Sequence, residues 1–244
     1  MRNMFTLGRR VLNQLFRDKW FLIFSLAAPV LIIIVLRVFF DTLPEQMPVE
    51  ELVVALAATV VFIITFVLCM ISVVEERVNG TLERMYVNGV SRPTIIVGYV
   101  LGYLVLATVQ TAIVIAMILG LFDLSYSISV LVWLFATIWL LALASVALGV
   151  LISSFVRRQV QIIPFIPLVL LPTIFLSGIM VDPTQLPLPA QIVGRATPLY
   201  YANNAIQEAT GGQDLAIIWP QIAALVGVIA IFLFLASRTL KTVE

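Results

Sequence analysis

Long apolar runs alternate with short polar breaks along this chain, at lengths that suit helices rather than strands. About 20 apolar residues cross the roughly 30 Å hydrocarbon core of a bilayer. Six segments reach that scale: Trp20–Phe40, Leu52–Val74, Thr94–Leu121, Ser129–Phe155, Ile162–Met180 and Ile217–Ala236. The pattern predicts an all-α integral membrane protein with six transmembrane helices, forming a single domain over residues 1–244. No stretch is left that would build a separate soluble domain.

The polar breaks are more informative than the spans. Ahead of the first run, at about 100° per residue, Met4, Phe5, Leu7, Val11, Leu12, Leu15 and Phe16 fall on one half of a helical wheel. Arg2, Asn3, Thr6, Arg9, Arg10, Asn13, Gln14 and Arg17 fall on the other. Residues 1–19 therefore predict a basic amphipathic helix, lying along the inner membrane surface and either resting there or also touching a partner protein.

The segment Glu75–Pro93, EERVNGTLERMYVNGVSRP, places six charged side chains in nineteen residues of a chain that is 11% charged. Asn79-Gly80 reads as a turn and Asn88-Gly89 as a helix stop. Between them Thr81–Asn88 is long enough for two helical turns, with Leu82, Met85 and Tyr86 on one face and Glu83 and Arg84 at its edges. Ser91 caps the next helix, with Pro93 in its first turn. The apolar ridge suits a groove on another protein or a seat on lipid.

Within the third run, Gly98 and Gly102 give a small-xxx-small spacing that permits close helix contact. Gln110, flanked by Thr108 and Thr111, is the most polar side chain deep in any run, and either lines a path or bonds a neighbouring helix. Pro164, Pro167 and Pro172 predict a kinked or locally unwound fifth run. The stretch Val181–Asp214 stays apolar although rich in Pro and Gly. Its helix-compatible pieces, Ala190–Gly194 and Tyr200–Ala209, are too short to cross and read as re-entrant helices in the outer leaflet.

Composition narrows the class. The chain is 62% hydrophobic with a mean hydropathy of +1.13, far from the soluble range. With the N-terminus inside, 12 of the 14 basic residues fall on the inner side, leaving Arg37 and Arg195 towards the other. The positive-inside rule then puts both termini in the cytoplasm of a cell-membrane protein. The outer segments carry Asp41, Glu45, Glu50, Glu51, Asp123, Asp182, Glu208 and Asp214. A cleaved signal peptide is not expected, because the first run is too long and lacks a small-residue cleavage site. Cys69, the only cysteine, sits inside the second run as a core residue, and the net charge of +1 offers nothing to nucleic acid.

Several chemistries are excluded. The chain has no histidine, which rules out His-metal and Ser-His intramembrane proteases, and no metal site or bound cofactor is expected. Neither lysine follows a glycine, so no nucleotide-binding P-loop is present. No Asp, Glu or Lys lies in the centre of a span, where ion-driven carriers usually place ionisable groups, and Arg37 lies near enough to an end to snorkel. If the protein transports, its free energy enters from another chain, and Thr81–Asn88 is the evident port.

These residues resemble the ABC-2-type transporter permease family, the membrane subunits of ATP-driven exporters. The likeness covers essentially the whole chain and is most specific over EERVNGTLERMYVNGVSRPTIIVGYVLG, Glu75–Gly102, with support from FLSGIMVDPTQLP (Phe175–Pro187) and TPLYYANNAI (Thr197–Ile206). It implies a connecting helix before the first span and a coupling helix between the second and third. On that basis Glu75 and Glu76 belong to the polar contact joining the connecting helix to an ABC ATPase subunit. Gly80, Thr81, Leu82, Glu83, Arg84 and Met85 form the coupling helix. Phe62, Phe66, Ile166, Leu170 and Phe175 line a substrate path between two subunits, with Gln110 as a further candidate. The partners expected are that ATPase, which uses ATP and Mg, a second permease subunit, more readily identical than different, and the lipid bilayer. An amphipathic drug- or lipid-like cargo suits the uncharged spans; a glycan exporter and a non-transporting membrane scaffold are the competing readings.

Overall fold

The protein is described by a computed structural model covering residues 2–42, 49–156, 158–211 and 215–239. Every regular element among these is helical: α1 (Arg2–Arg17), α2 (Lys19–Phe40), α3 (Val49–Val78), α4 (Thr81–Val87), α5 (Arg92–Phe122), α6 (Ile128–Ser153), α7 (Ile162–Phe175), α8 (Leu188–Arg195), α9 (Pro198–Thr210) and α10 (Trp219–Thr239). Short 3-10 turns at Gln159–Gln161, Pro183–Gln185 and Leu215–Ile218 precede α7, α8 and α10 respectively. Of the charges used above, Glu45, Arg157, Asp214 and Lys241 lie outside the described residues.

Local chemistry sets the breaks. Asp18 separates α1 from α2, its carboxylate accepting from the Phe21 N–H at 3.0 Å, an N-cap that satisfies one orphan donor. Gly80 and Gly89 adopt φ of +69° and +76°, a region costly for any residue with a Cβ. They isolate α4 between two sharp turns, as the Asn-Gly pairs predict. Ser91 is the N-cap residue of α5, with Pro93 in its first turn.

Five described helices are long and apolar enough to cross a membrane: Lys19–Phe40, Glu51–Val78, Arg92–Phe122, Ile128–Ser153 and Ala216–Thr239. The expected fifth span, Ile162–Met180, is shorter than its hydropathy predicts. Its helix stops at Phe175 after fourteen residues, a rise of about 21 Å against a core of about 30 Å. Pro167 and Pro172 remain inside the helix, and Gly178, at φ +87°, turns the chain beyond it.

The interior is two clusters stacked along the bundle. One gathers Phe62, Phe66, Ile138, Leu141, Leu199 and Ile206, drawn from α3, α6 and α9. The other gathers Val11, Val73, Leu82, Ile95, Tyr99, Val150 and Ala236. Because Val11 of α1 and Ala236 of α10 share the second cluster, the first helix and the end of the last lie at one end of the bundle. The short helices α8 and α9 lie towards the other end, where Ala202, Ala205, Ile206 and Ala209 bury one face of α9.

Candidate functional site

The site begins with a close approach of backbones. A Cβ added to Gly98 would stand 2.8 Å from Leu7 Cβ, and one added to Gly8 would stand 2.8 Å from Leu101 Cβ. Real side chains do not tolerate such distances, so α1 and α5 interlock through glycine on both sides. The apolar half of α1 therefore covers α5 instead of lying on lipid alone. Val11 and Leu15 are buried there, whereas Phe16 is exposed although it belongs to the same half of the wheel. The polar half faces out across a cavity of about 750 Å3 lined by Arg9, Arg10, Asn13, Arg17, Asp18 and Glu75.

The acidic pair divides its labour. Glu75 is exposed on that cavity. Glu76, next along the helix, is only 4% exposed. It accepts a 2.6 Å hydrogen bond from the Tyr99 hydroxyl and faces the Arg10 guanidinium at 3.6 Å. Arg10 also donates to Met85 Sδ at 3.3 Å. One buried carboxylate thus ties α1 and α5 to the end of α3, and Arg10 extends the tie to α4. Such a carboxylate is tolerated away from water because its oxygens are engaged. Arg77 follows and turns the other way, donating from Nη1 to the carbonyls of Ser153 and Val156, each at 2.9 Å. It closes the C-terminal end of α6, where carbonyls lack helical partners and a cation is favoured.

The ridge of α4 points inward, which corrects its expected use. Leu82 is 3% exposed and Met85 is buried with it, both packed in the second cluster. They hold α4 to its own chain, so the apolar side chain that α4 leaves fully outside is Val87 and not Leu82 or Met85. Tyr86 is half-buried, and burial pushes its phenol up from the ordinary value, with Arg92 and Arg77 pulling the other way. Gly80 and Thr81 are half-buried at the turn. The outward surface consists of Glu83, Arg84, Val87 and Asn88, with Val87 88% exposed.

Of the residues expected along a path, Phe62, Phe66 and Leu170 share one buried cluster and Ile166 packs against it. Phe62 and Phe66 are wholly buried and stack on each other, ring centroids 6.4 Å apart and planes 9° apart. Leu170 is buried, Ile166 is partly buried and Phe175 is half exposed. Gln110 is a clasp, only 1% exposed. Its carbonyl oxygen accepts from the Thr65 hydroxyl at 2.9 Å, and its amide donates to the Ser25 carbonyl at 2.8 Å. With both ends of the amide engaged it joins α2, α3 and α5, which is the second of the two roles expected for it.

Arg10, Tyr99 and Arg77 escaped the sequence reading as partners. Arg10 was visible on the polar half of α1, but no spacing rule links it to a glutamate 66 residues on. A family model described as ABC-2 type transporter matches residues 2–210. The chain belongs to this family. It is therefore a multi-pass membrane protein of the ABC-2 permease type. Over 177 residues it is 26% identical to the Escherichia coli K12 protein named "Probable multidrug ABC transporter permease YbhR", covering 72% of this chain and 48% of that one. Over 138 residues it is 28% identical to "ABC transporter G family member 20" of Dictyostelium discoideum, covering 57% of this chain and 19% of that one. The chain spans about half the length, or less, of these curated relatives.

Proposed function

We propose that this chain is the membrane subunit of an ABC exporter, paired with a second copy of itself and driven by separate ATPase subunits that bind ATP and Mg. The observation that carries the reading is the buried Glu76, which joins the amphipathic helix, the α4 loop and α5 at one end of the bundle. A force applied to α4 from outside the chain then reaches α3 and α5 without passing through a slack loop. In this reading that end is cytoplasmic, as the distribution of Lys and Arg suggests. The ATPase meets Glu83, Arg84 and Val87 together with the exposed Glu75 and the polar half of α1. Residues 1–244 act as one permease domain, in which α7 and the residues after it make a sixth crossing and α8 and α9 dip into the outer leaflet.

Closure of the ATPase pair on ATP moves the two α4 loops together and shifts the bundles from inward-open to outward-open. The cargo is an amphipathic drug- or lipid-like molecule, because the spans are apolar and aromatic without deep charges. Reconstitution with the cognate ATPase in proteoliposomes tests this. Amphipathic compounds should raise ATP hydrolysis saturably; no stimulation at any concentration would count against the cargo class.

A further inference from the structure

At the end of the bundle opposite α4, the turn after α7 and one face of α9 enclose a polar cleft of about 390 Å3. Its walls include Asp182, Thr184, Tyr200, Asn203, Asn204 and Gln207. This volume lies within the range of small-molecule sites. We infer that the cleft binds the hydroxyl-rich head of a sugar or glycolipid.

The floor supplies the first reason. Asn203 is 1% exposed. Its amide donates to the Ser177 carbonyl at 3.2 Å, which fixes which way the amide points, since the reverse orientation would set two oxygens against each other. That leaves Asn203 Oδ1 without a hydrogen-bond donor among the described residues. A buried acceptor left unpaired costs free energy; Oδ1 is closed off from solvent, so a ligand hydroxyl supplies the missing donor as the side chains over the floor give way. Gly178 makes room for this arrangement: a Cβ there would stand 3.3 Å from Asn203 Nδ2 and 3.1 Å from Pro183 Cγ.

The walls supply the second reason. Asn204 and Gln207 each offer both a donor and an acceptor, matching the dual character of a hydroxyl group. Asp182 accepts from the Thr184 N–H at 2.9 Å and from its hydroxyl at 2.8 Å. Those bonds hold its carboxyl below the usual range, so at neutral pH it is a charged acceptor. Tyr200 adds an aromatic surface beside these polar groups, as a sugar ring requires. An organic ammonium would also meet the carboxylate, but it would use only the acceptors and leave the amide donors idle. The polyhydroxyl class uses both.

The inference does not depend on ATPase docking, and the test uses the full chain alone in phosphatidylcholine nanodiscs. Saturation-transfer NMR with maltose should give signals that tetraethylammonium does not displace. Asn204→Ala/Gln207→Ala, which alters only the walls, should weaken binding about tenfold or more, the scale of one to two lost hydrogen bonds. Asn203→Leu should do the same, with unchanged thermal unfolding of the wall variant guarding against a loss of fold. In parallel, nanodiscs containing digalactosyl diacylglycerol distinguish the source. Retention of that lipid in native mass spectrometry, reduced in the wall variant, marks a glycolipid head; transfer to maltose alone marks a free sugar. Silence from both probes, binding indifferent to all these substitutions, or displacement by tetraethylammonium would overturn the inference.

Discussion

Gln110 shows what a single polar side chain does in an apolar bundle. It spends its amide on Thr65 and on the Ser25 carbonyl, and so fixes three helices in register. Interhelical hydrogen bonds in membranes contribute modestly, because the separated helices find other partners. Gln110→Leu should therefore lower stability by about 1–2 kcal/mol, read as an earlier thermal unfolding in detergent, without changing which compounds are carried. An altered cargo preference with unaltered stability would return Gln110 to a path. The sequence made this residue conspicuous by its depth. It could not choose between path and clasp, because the choice depends on Thr65 and Ser25 facing it from two other helices.

At the scale of elements, the boundaries of α4 were legible and its orientation was not. Asn-Gly pairs announce both turns, and the left-handed glycines sit where those pairs put them. The spacing of Leu82, Met85 and Tyr86 defines a face, but periodicity does not say whether neighbours from the same chain or from another cover it. Here Val73, Ile95 and Tyr99 share their cluster. The length of α7 was hidden for a different reason. Hydropathy continues unbroken past Phe175, while the backbone turns at Gly178. The small-residue spacing on α5 was legible, and its partner proved to be α1. Gly98→Leu should force α1 off α5 at a cost of roughly 1–3 kcal/mol, seen as faster amide exchange in residues 6–17. Unchanged exchange there would contradict the interlock.

For the whole molecule, the distribution of exposed groups separates two kinds of surface. The α4 end presents Glu83, Arg84, Glu75, Arg9 and Arg17 to the outside. Docking through such a surface is governed by charge complementarity. Glu83→Arg should thus reduce the co-purified ATPase about tenfold, the equivalent of roughly 1.4 kcal/mol, with insertion and thermal unfolding unchanged. Wild-type yield of the ATPase would remove Glu83 from the interface. Leu82→Asp is not a clean companion, because Leu82 is buried and its loss would loosen α4 itself.

Glu76 and Arg77 are neighbours on the last turn of α3, yet they reach in opposite directions, one towards α1 and α5 and the other towards the carbonyl end of α6. Four helices are thereby tied together at the α4 end of the bundle. Bending has to be absorbed elsewhere, and α7, with two prolines and a glycine turn at its far end, is the natural hinge. If the chain works as the proposed exporter, the bundle would swing about α7 while these tied helices tilt together.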